Sequence, residues 1–196
     1  MKSINVKMNG ISPILMNNPR GVNPLHPLVI KKNEITALPT KQKKTIENLM
    51  RVSDLEWEIG VYWDDSVGLY VPNECIIGSL TDGAKMSRNG TTIKKACQVI
   101  ESIVPLDIGE TQDYEKMRCD IRFRDVRSVV IQRSRVTKTR PRFNTWRCEF
   151  TLMYDDALTD VAMIGAAFDA AGKYCGIFDN RKNGYGRYAT IITELY

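Results

Sequence analysis

Residues 146–154 read WRCEFTLMY. Trp146, Cys148, Phe150, Leu152 and Tyr154 alternate with Arg147, Glu149, Thr151 and Met153, so an extended chain puts the bulky apolar groups on one side and the polar ones on the other. The period of two predicts a long core strand, with Trp146 beginning its apolar face. Downstream, Asp155 and Asp156 form a turn. Val161, Ile164, Gly165, Phe168, Ala171, Gly172 and Cys175 then trace one side of a helix rich in small residues, which Gly176 ends. A basic glycine loop at 179–187 leads into a final strand from Tyr188 to Leu195.

Upstream of this strand lies most of the positive charge. From Lys116 to Arg147 there are eleven Lys or Arg against only Asp120 and Asp125. That excess of +9 is larger than the +5 of the whole chain, so the remainder is net negative and a polyanion is the natural partner. Val126, Val129, Val130, Ile131 and Val136 favour strands and Pro141 excludes a central helix, which makes the stretch a β-ribbon. Arg127, Arg133 and Arg135 share odd parity, whereas Lys138, Arg140 and Arg142 share even parity. The change of phase predicts a bulge or bend near Val136 and Thr137.

Further toward the start, Ile4, Val6 and Met8 alternate with polar residues and Gly10 ends this first strand. Four prolines within 12–28 predict a long exposed loop. Thr40 is positioned to cap a helix running through Trp57, with Ile46, Leu49, Met50 and Leu55 or Trp57 on one face. Ile59, Val61 and Trp63 then alternate toward a turn at 64–66, and Leu69, Tyr70 and Val71 return to make a hairpin. After Pro72, Asn73 opens a helix through Ile76, Ile77, Leu80 and Ala84, closed by 87–90. Ile93 to Ile103 reads as a further short amphipathic element with Lys94 and Lys95 on its polar side.

The order is strand, helix, hairpin, helix, basic excursion, strand, helix, strand. It predicts an α+β fold with a ferredoxin-like antiparallel sheet, as in RNA-recognition modules, with helices on one face and a long basic β-hairpin excursion. A single domain over 1–196 is expected, with 1–104 and 144–196 as the core and 105–143 as the excursion.

The 196 residues are 43% apolar, ample for a buried core. The opening MKSINVKMNG lacks the apolar centre of a signal peptide, and no run approaches the ~18 apolar residues of a membrane span, so a cytoplasmic protein without membrane contact is expected. Five dispersed cysteines and one histidine offer no zinc-ligand spacing, and neither a Gly-Lys-Ser/Thr phosphate loop nor a nucleophile elbow is present. The paired carboxylates Asp64-Asp65 and Asp155-Asp156 read as turns. No metal, cofactor or catalytic residue is expected, and the chain reads as a binding protein and not an enzyme.

The candidate nucleic-acid-binding residues are Arg127, Arg133, Arg135, Lys138, Arg140 and Arg142, which would displace counterions from phosphates, with Phe143 and Trp146 as faces for unpaired bases. Nine of the eleven basic residues are Arg, which favours planar phosphate contacts over simple solubility. In the glycine loop, Gly184 and Gly186 could bring backbone N–H groups to a phosphate, with Arg181, Lys182 and Arg187 adding charge. An ordinary helix-to-strand connection, its glycines supplying positive φ, explains the same residues.

The run from Leu69 through Pro72 to Gly78, Ser79 and Leu80 resembles the strand, proline and helix entry that recurs in the RAMP superfamily of CRISPR-associated RNA-binding proteins. Asn183-Gly184-Tyr185-Gly186-Arg187 is similar to that superfamily's glycine-rich loop, and Val6 to Pro13 to its first strand and following turn. The chain also looks like standalone phage-encoded proteins with this layout, and it departs from the pattern in lacking a fuller multi-glycine loop. The resemblance implies a ferredoxin-like palm, a basic thumb over 126–143, and subunits that multimerise as a homo-oligomer or filament along single-stranded RNA, with DNA as the other strand to consider. Two alternatives stand beside it: a phage structural or assembly protein whose basic hairpin arm grips a neighbour, and a metal-independent endoribonuclease using His26.

Overall fold

The computed structural model describes residues 1–131 and 134–195. In chain order the elements are β1 (Lys2–Gly10), β2 (Ile14–Leu15), α1 (Pro27–Thr36), α2 (Thr40–Lys43), α3 (Ile46–Gly60), β3 (Trp63–Asp64), β4 (Gly68–Pro72), α4 (Asn73–Lys85), α5 (Gly90–Ala96), β5 (Cys97–Val99), β6 (Ile103–Asp107), α6 (Tyr114–Cys119), β7 (Arg124–Ile131), β8 (Ser134–Phe143), β9 (Arg147–Tyr154), α7 (Val161–Ala170) and β10 (Tyr188–Leu195). The fold is mixed α+β. Two compact units result, one from Met1–Ile14, Trp63–Gln112 and Phe143–Tyr196, the other from Leu15–Tyr62 and Asp113–Arg142. The second unit therefore takes in 15–62 as well as the basic stretch, and β6 belongs to the first unit's sheet.

The first unit is built on a sheet in the order β10-β1-β9-β6-β4-β3, with β5 also paired to β9. The alternation that marked β9 as a core strand is realised: Cys148, Phe150, Leu152 and Tyr154 are buried, whereas Arg147 and Glu149 are exposed. β1 runs antiparallel between β9 and β10, Val6 opposite Phe150 on one side and Ile192 on the other. Ile4, Val6 and Met8 are completely buried, each such side chain contributing roughly 1.5–3 kcal/mol by leaving water. Helices α4 and α7 meet closely at Gly83, where the lack of a side chain lets its backbone reach the Ala167 carbonyl of α7 and the Ala171 nitrogen just past its end.

The expected amphipathic element at 93–103 is replaced by the end of α5 and two strands. Cys97 and Val99 pair with Tyr154 and Leu152 of β9, so ladder hydrogen bonds and a period-two burial override the helical spacing.

The proline-rich segment is largely exposed over 17–25, as expected, but its start is not. Leu15 and Met16 are fully buried. Asn18 caps a 3-10 turn at Pro19–Val22. The Arg20 guanidinium then donates to the carbonyls of Glu58, Ile59 and Val61, satisfying the orphan acceptors at the end of α3. α1 begins with Pro27 after its cap, His26, whose Nδ1 accepts from the Leu28 N–H.

The helix expected from Thr40 to Trp57 is broken. Pro39, and not Thr40, occupies the cap position of α2, and α3 starts afresh after Thr45, whose hydroxyl accepts from the Asn48 N–H. Because α3 continues to Gly60, Ile59 and Val61 do not form the expected strand, and only Trp63 and Asp64 pair, opposite Leu69 and Gly68. Ile46, Leu49 and Met50 are exposed, whereas Trp57 and Ile59 carry the buried face. Trp57 donates through Nε1 to the Phe123 carbonyl at 2.9 Å and meets the Tyr114 ring edge-on at 5.6 Å. Burial, reinforced by Glu58, pushes the Tyr114 phenol up to about 12.

Candidate nucleic-acid interface

β7 and β8 form the expected ribbon in a three-stranded sheet of order β2-β8-β7. Its register runs unbroken from Arg124 opposite Pro141 to Ile131 opposite Ser134. There is accordingly no bulge at Val136 and Thr137. The change of parity arises because an antiparallel pair with this register places odd positions of one strand opposite even positions of the other. Arg127 lies opposite Lys138 and Asp125 opposite Arg140, so Arg127, Lys138 and Arg140, with Arg142 two residues on, share one face. Arg135 lies on the opposite face, beside Thr137 and Thr139 in parity, and is exposed. Arg133 lies outside the described residues.

The first half of the basic stretch is tied down by ion pairs. Arg118 bridges Glu115 at 2.8 Å and Glu58 at 3.4 Å, and the Glu115 carboxylate holds its guanidinium above the ordinary arginine range. Lys116 meets Asp113, and Arg122 meets Asp120, whose carboxyl is held below the usual range by hydrogen bonds from the Arg122 side chain and backbone. Arg124, the most buried of these cations, meets Asp54 at 2.5 Å and donates to the Arg118 carbonyl and Ser53. Arg127 is paired with Asp125, which is itself buried. These residues fasten the root of the ribbon onto α3 and α6. They are structural first.

The second strand is anchored at Thr139, through its backbone and its hydroxyl. Thr139 is buried, its N–H donating to Glu56 at 2.8 Å and its hydroxyl bonding Ser53 at 2.8 Å. Glu56 also holds Lys32 at 2.9 Å. Lys138, on the opposite side of the strand, reaches Asn17 at 3.1 Å and borders a cavity of about 210 Å³ with Asn17, Asn18, Lys32, Asn33 and Glu56. This cavity went unread in the sequence. Its trace there is the pair Asn17-Asn18 in the proline-rich stretch.

Phe143, expected as a stacking face, is 1% exposed and belongs to the first unit's core, as does Trp146, whose Nε1 donates to the Ser12 carbonyl. Neither ring is open to a base.

The glycine loop lies in the first unit, and the described part of the ribbon through Arg142 in the second. The loop's amides are engaged within the fold. The Gly184 N–H donates to Arg181, that of Gly186 to Pro13 at 2.8 Å, and that of Arg187 to the Ser12 hydroxyl at 2.8 Å, while that hydroxyl donates to the Gly184 carbonyl. Arg181 meets Asp82 at 2.9 Å and Arg187 donates to the Arg181 carbonyl. Lys182 is exposed. Such a loop locks the turn after β1 to the entry of β10.

Among the described residues no group of three or more His, Cys, Asp or Glu converges, and no helix is long and apolar enough to cross a membrane. No protein-family model matches the chain, and no curated protein matches it by sequence.

Proposed function

We propose that the chain is a non-catalytic protein that binds single-stranded nucleic acid through the β7–β8 ribbon. The observation that carries the reading is the register, which gathers Lys138, Arg140 and Arg142 along one face of β8, with Arg127 across from Lys138 and its buried partner Asp125 across from Arg140. A face of cations at the two-residue repeat of a strand suits a phosphate chain, and the amide-lined cavity beside Lys138 offers donors and acceptors to a base edge. RNA ranks before DNA because of the resemblance to the RAMP superfamily. The first unit's topology supports a ferredoxin-like palm: β1, α4 and β6 make one crossover, β9, α7 and β10 another, and each pair of strands is split by a strand of the other. On this reading copies assemble along the strand they bind, in a host cytoplasm if the chain is phage-encoded.

A second reading, an arm that grips a neighbouring subunit, draws on the exposed apolar residues Val126 and Val136 of the ribbon. Anisotropy titrations of a fluorescent 20-nucleotide uridine-rich RNA separate the two. Replacing Lys138, Arg140 and Arg142 by Gln should lower the slope of log affinity on log salt by about 2, and cut binding on the order of 100-fold at 0.1 M salt. Unchanged binding by that variant would contradict the ribbon as the interface. Self-association of the wild type that Val126→Ser and Val136→Ser abolish, without RNA binding, would favour the arm.

A further inference from the structure

The first unit carries a second concentration of positive charge. α4 ends at Lys85, the chain turns through Arg88, and α5 follows, and between the two helices lies an open groove of about 620 Å³ lined by Thr81, Lys85, Arg88, Thr91, Lys94 and Lys95 with the Gly90 backbone. Among the described residues no carboxylate lines it. Arg88, Lys94 and Lys95 are exposed, and among the described residues none of them has an ion-pair partner. This contrasts with the first half of the basic stretch, where each cation meets a carboxylate.

Two further features mark the groove. Arg88 holds a left-handed backbone, φ 63°, an uncommon conformation for a residue with a side chain. Asn or Gly would be the ordinary choice for that turn, so the position keeps an arginine at some conformational expense. At the base of the groove the Thr81 hydroxyl is buried with no hydrogen-bond partner, a group that a ligand oxygen could satisfy. Lys85 is partly spent on Asp82. Burial works against ionisation of that carboxyl, but hydrogen bonds from Lys85 and Arg181 outweigh it and hold it below the usual range. The three cations without carboxylate partners are therefore the ones that define the groove's charge.

We infer that the α4–α5 groove is a second nucleic-acid contact, in which Arg88, Lys94 and Lys95 take the phosphates of a single strand. The site is argued from its own geometry, and only the identity of its anion rests on the reading of the ribbon given above. Three phosphate contacts correspond to a slope of about 2 in log affinity against log salt for a single strand.

The test uses the full chain and the same 20-nucleotide RNA. Arg88→Asn, Lys94→Gln and Lys95→Gln are combined, Asn being chosen because it tolerates the left-handed backbone, and circular dichroism melting verifies the fold. The combined variant should lower the salt slope by about 2 and weaken binding on the order of 100-fold at 0.1 M salt, with the ribbon intact. Unchanged affinity and slope, while the ribbon variant loses both, would overturn the groove and leave the ribbon standing. Loss in the groove variant with none in the ribbon variant would uphold the groove and reject the ribbon. Absence of wild-type binding even at 20 mM salt would reject both.

Discussion

Trp57→Ala should destabilise the unit containing the ribbon by about 3–5 kcal/mol, the loss expected when a large buried aromatic is truncated. The side chain is fully buried, its Nε1 holds the Phe123 carbonyl immediately before β7, and its ring packs edge-on against Tyr114 of α6. Truncation removes the packing and leaves the carbonyl without its donor. Trp57→Phe removes the N–H with a smaller loss of buried volume, for an intermediate loss of about 2–3 kcal/mol. Urea denaturation of the three proteins, followed by the far-ultraviolet signal, measures the difference. A change below 1 kcal/mol in the alanine variant would mean that Trp57 does not anchor the ribbon.

The second large effect is expected at a glycine. Gly186 has φ +70°, and a methyl group there would lie 2.8 Å from the Ile177 nitrogen and 3.0 Å from its carbonyl carbon. Those atoms are backbone, held by the Ile177 N–H donating to the Gly186 carbonyl at 3.0 Å, so no side chain can swing aside. Left-handed strain of 1–2 kcal/mol and the overlap together predict that Gly186→Ala costs about 3 kcal/mol or more. Gly184 supplies the control. Its φ is +83°, but a methyl group there meets nothing within 4 Å, so Gly184→Ala should cost only about 1 kcal/mol. If the loop were a phosphate cradle, the ranking in RNA affinity would follow access to the amides. If it is the lock that its hydrogen bonds describe, Gly184→Ala binds RNA like the wild type.

The parts of this fold that were legible in the sequence are those where one local signal had no competitor. The alternation over 146–154 spans nine residues, eight of them in β9, and ends in buried partners on β1, so its period could not be mistaken. The ribbon was readable from its β-branched residues and Pro141. At 59–63, by contrast, three apolar residues fit a strand as well as the end of a helix, and what decides is Arg20, nearly forty residues away, which donates to the last carbonyls of α3. The same residue explains why a segment with four prolines is held in place.

The charge of the basic stretch was legible in sign and not in use. Nothing local distinguishes Arg124, closed against Asp54, from Arg135, open to solvent, because the carboxylate that separates them belongs to another helix. The stacking role expected of Phe143 failed to find an exposed ring for a related reason: the residue ends β8 inside the core of the other unit. The groove beside α5 was visible only as the pair Lys94-Lys95, and its third member, Arg88, joins them through a turn.

Photo-crosslinking of a 4-thiouridine-substituted single-stranded RNA to the full chain, with the adducts located by mass spectrometry, puts the ribbon to the most direct trial. Adducts within 134–143 that fade as salt is raised are the predicted result. An RNA that crosslinks nowhere on β8, at salt low enough for any phosphate contact to hold, would contradict it.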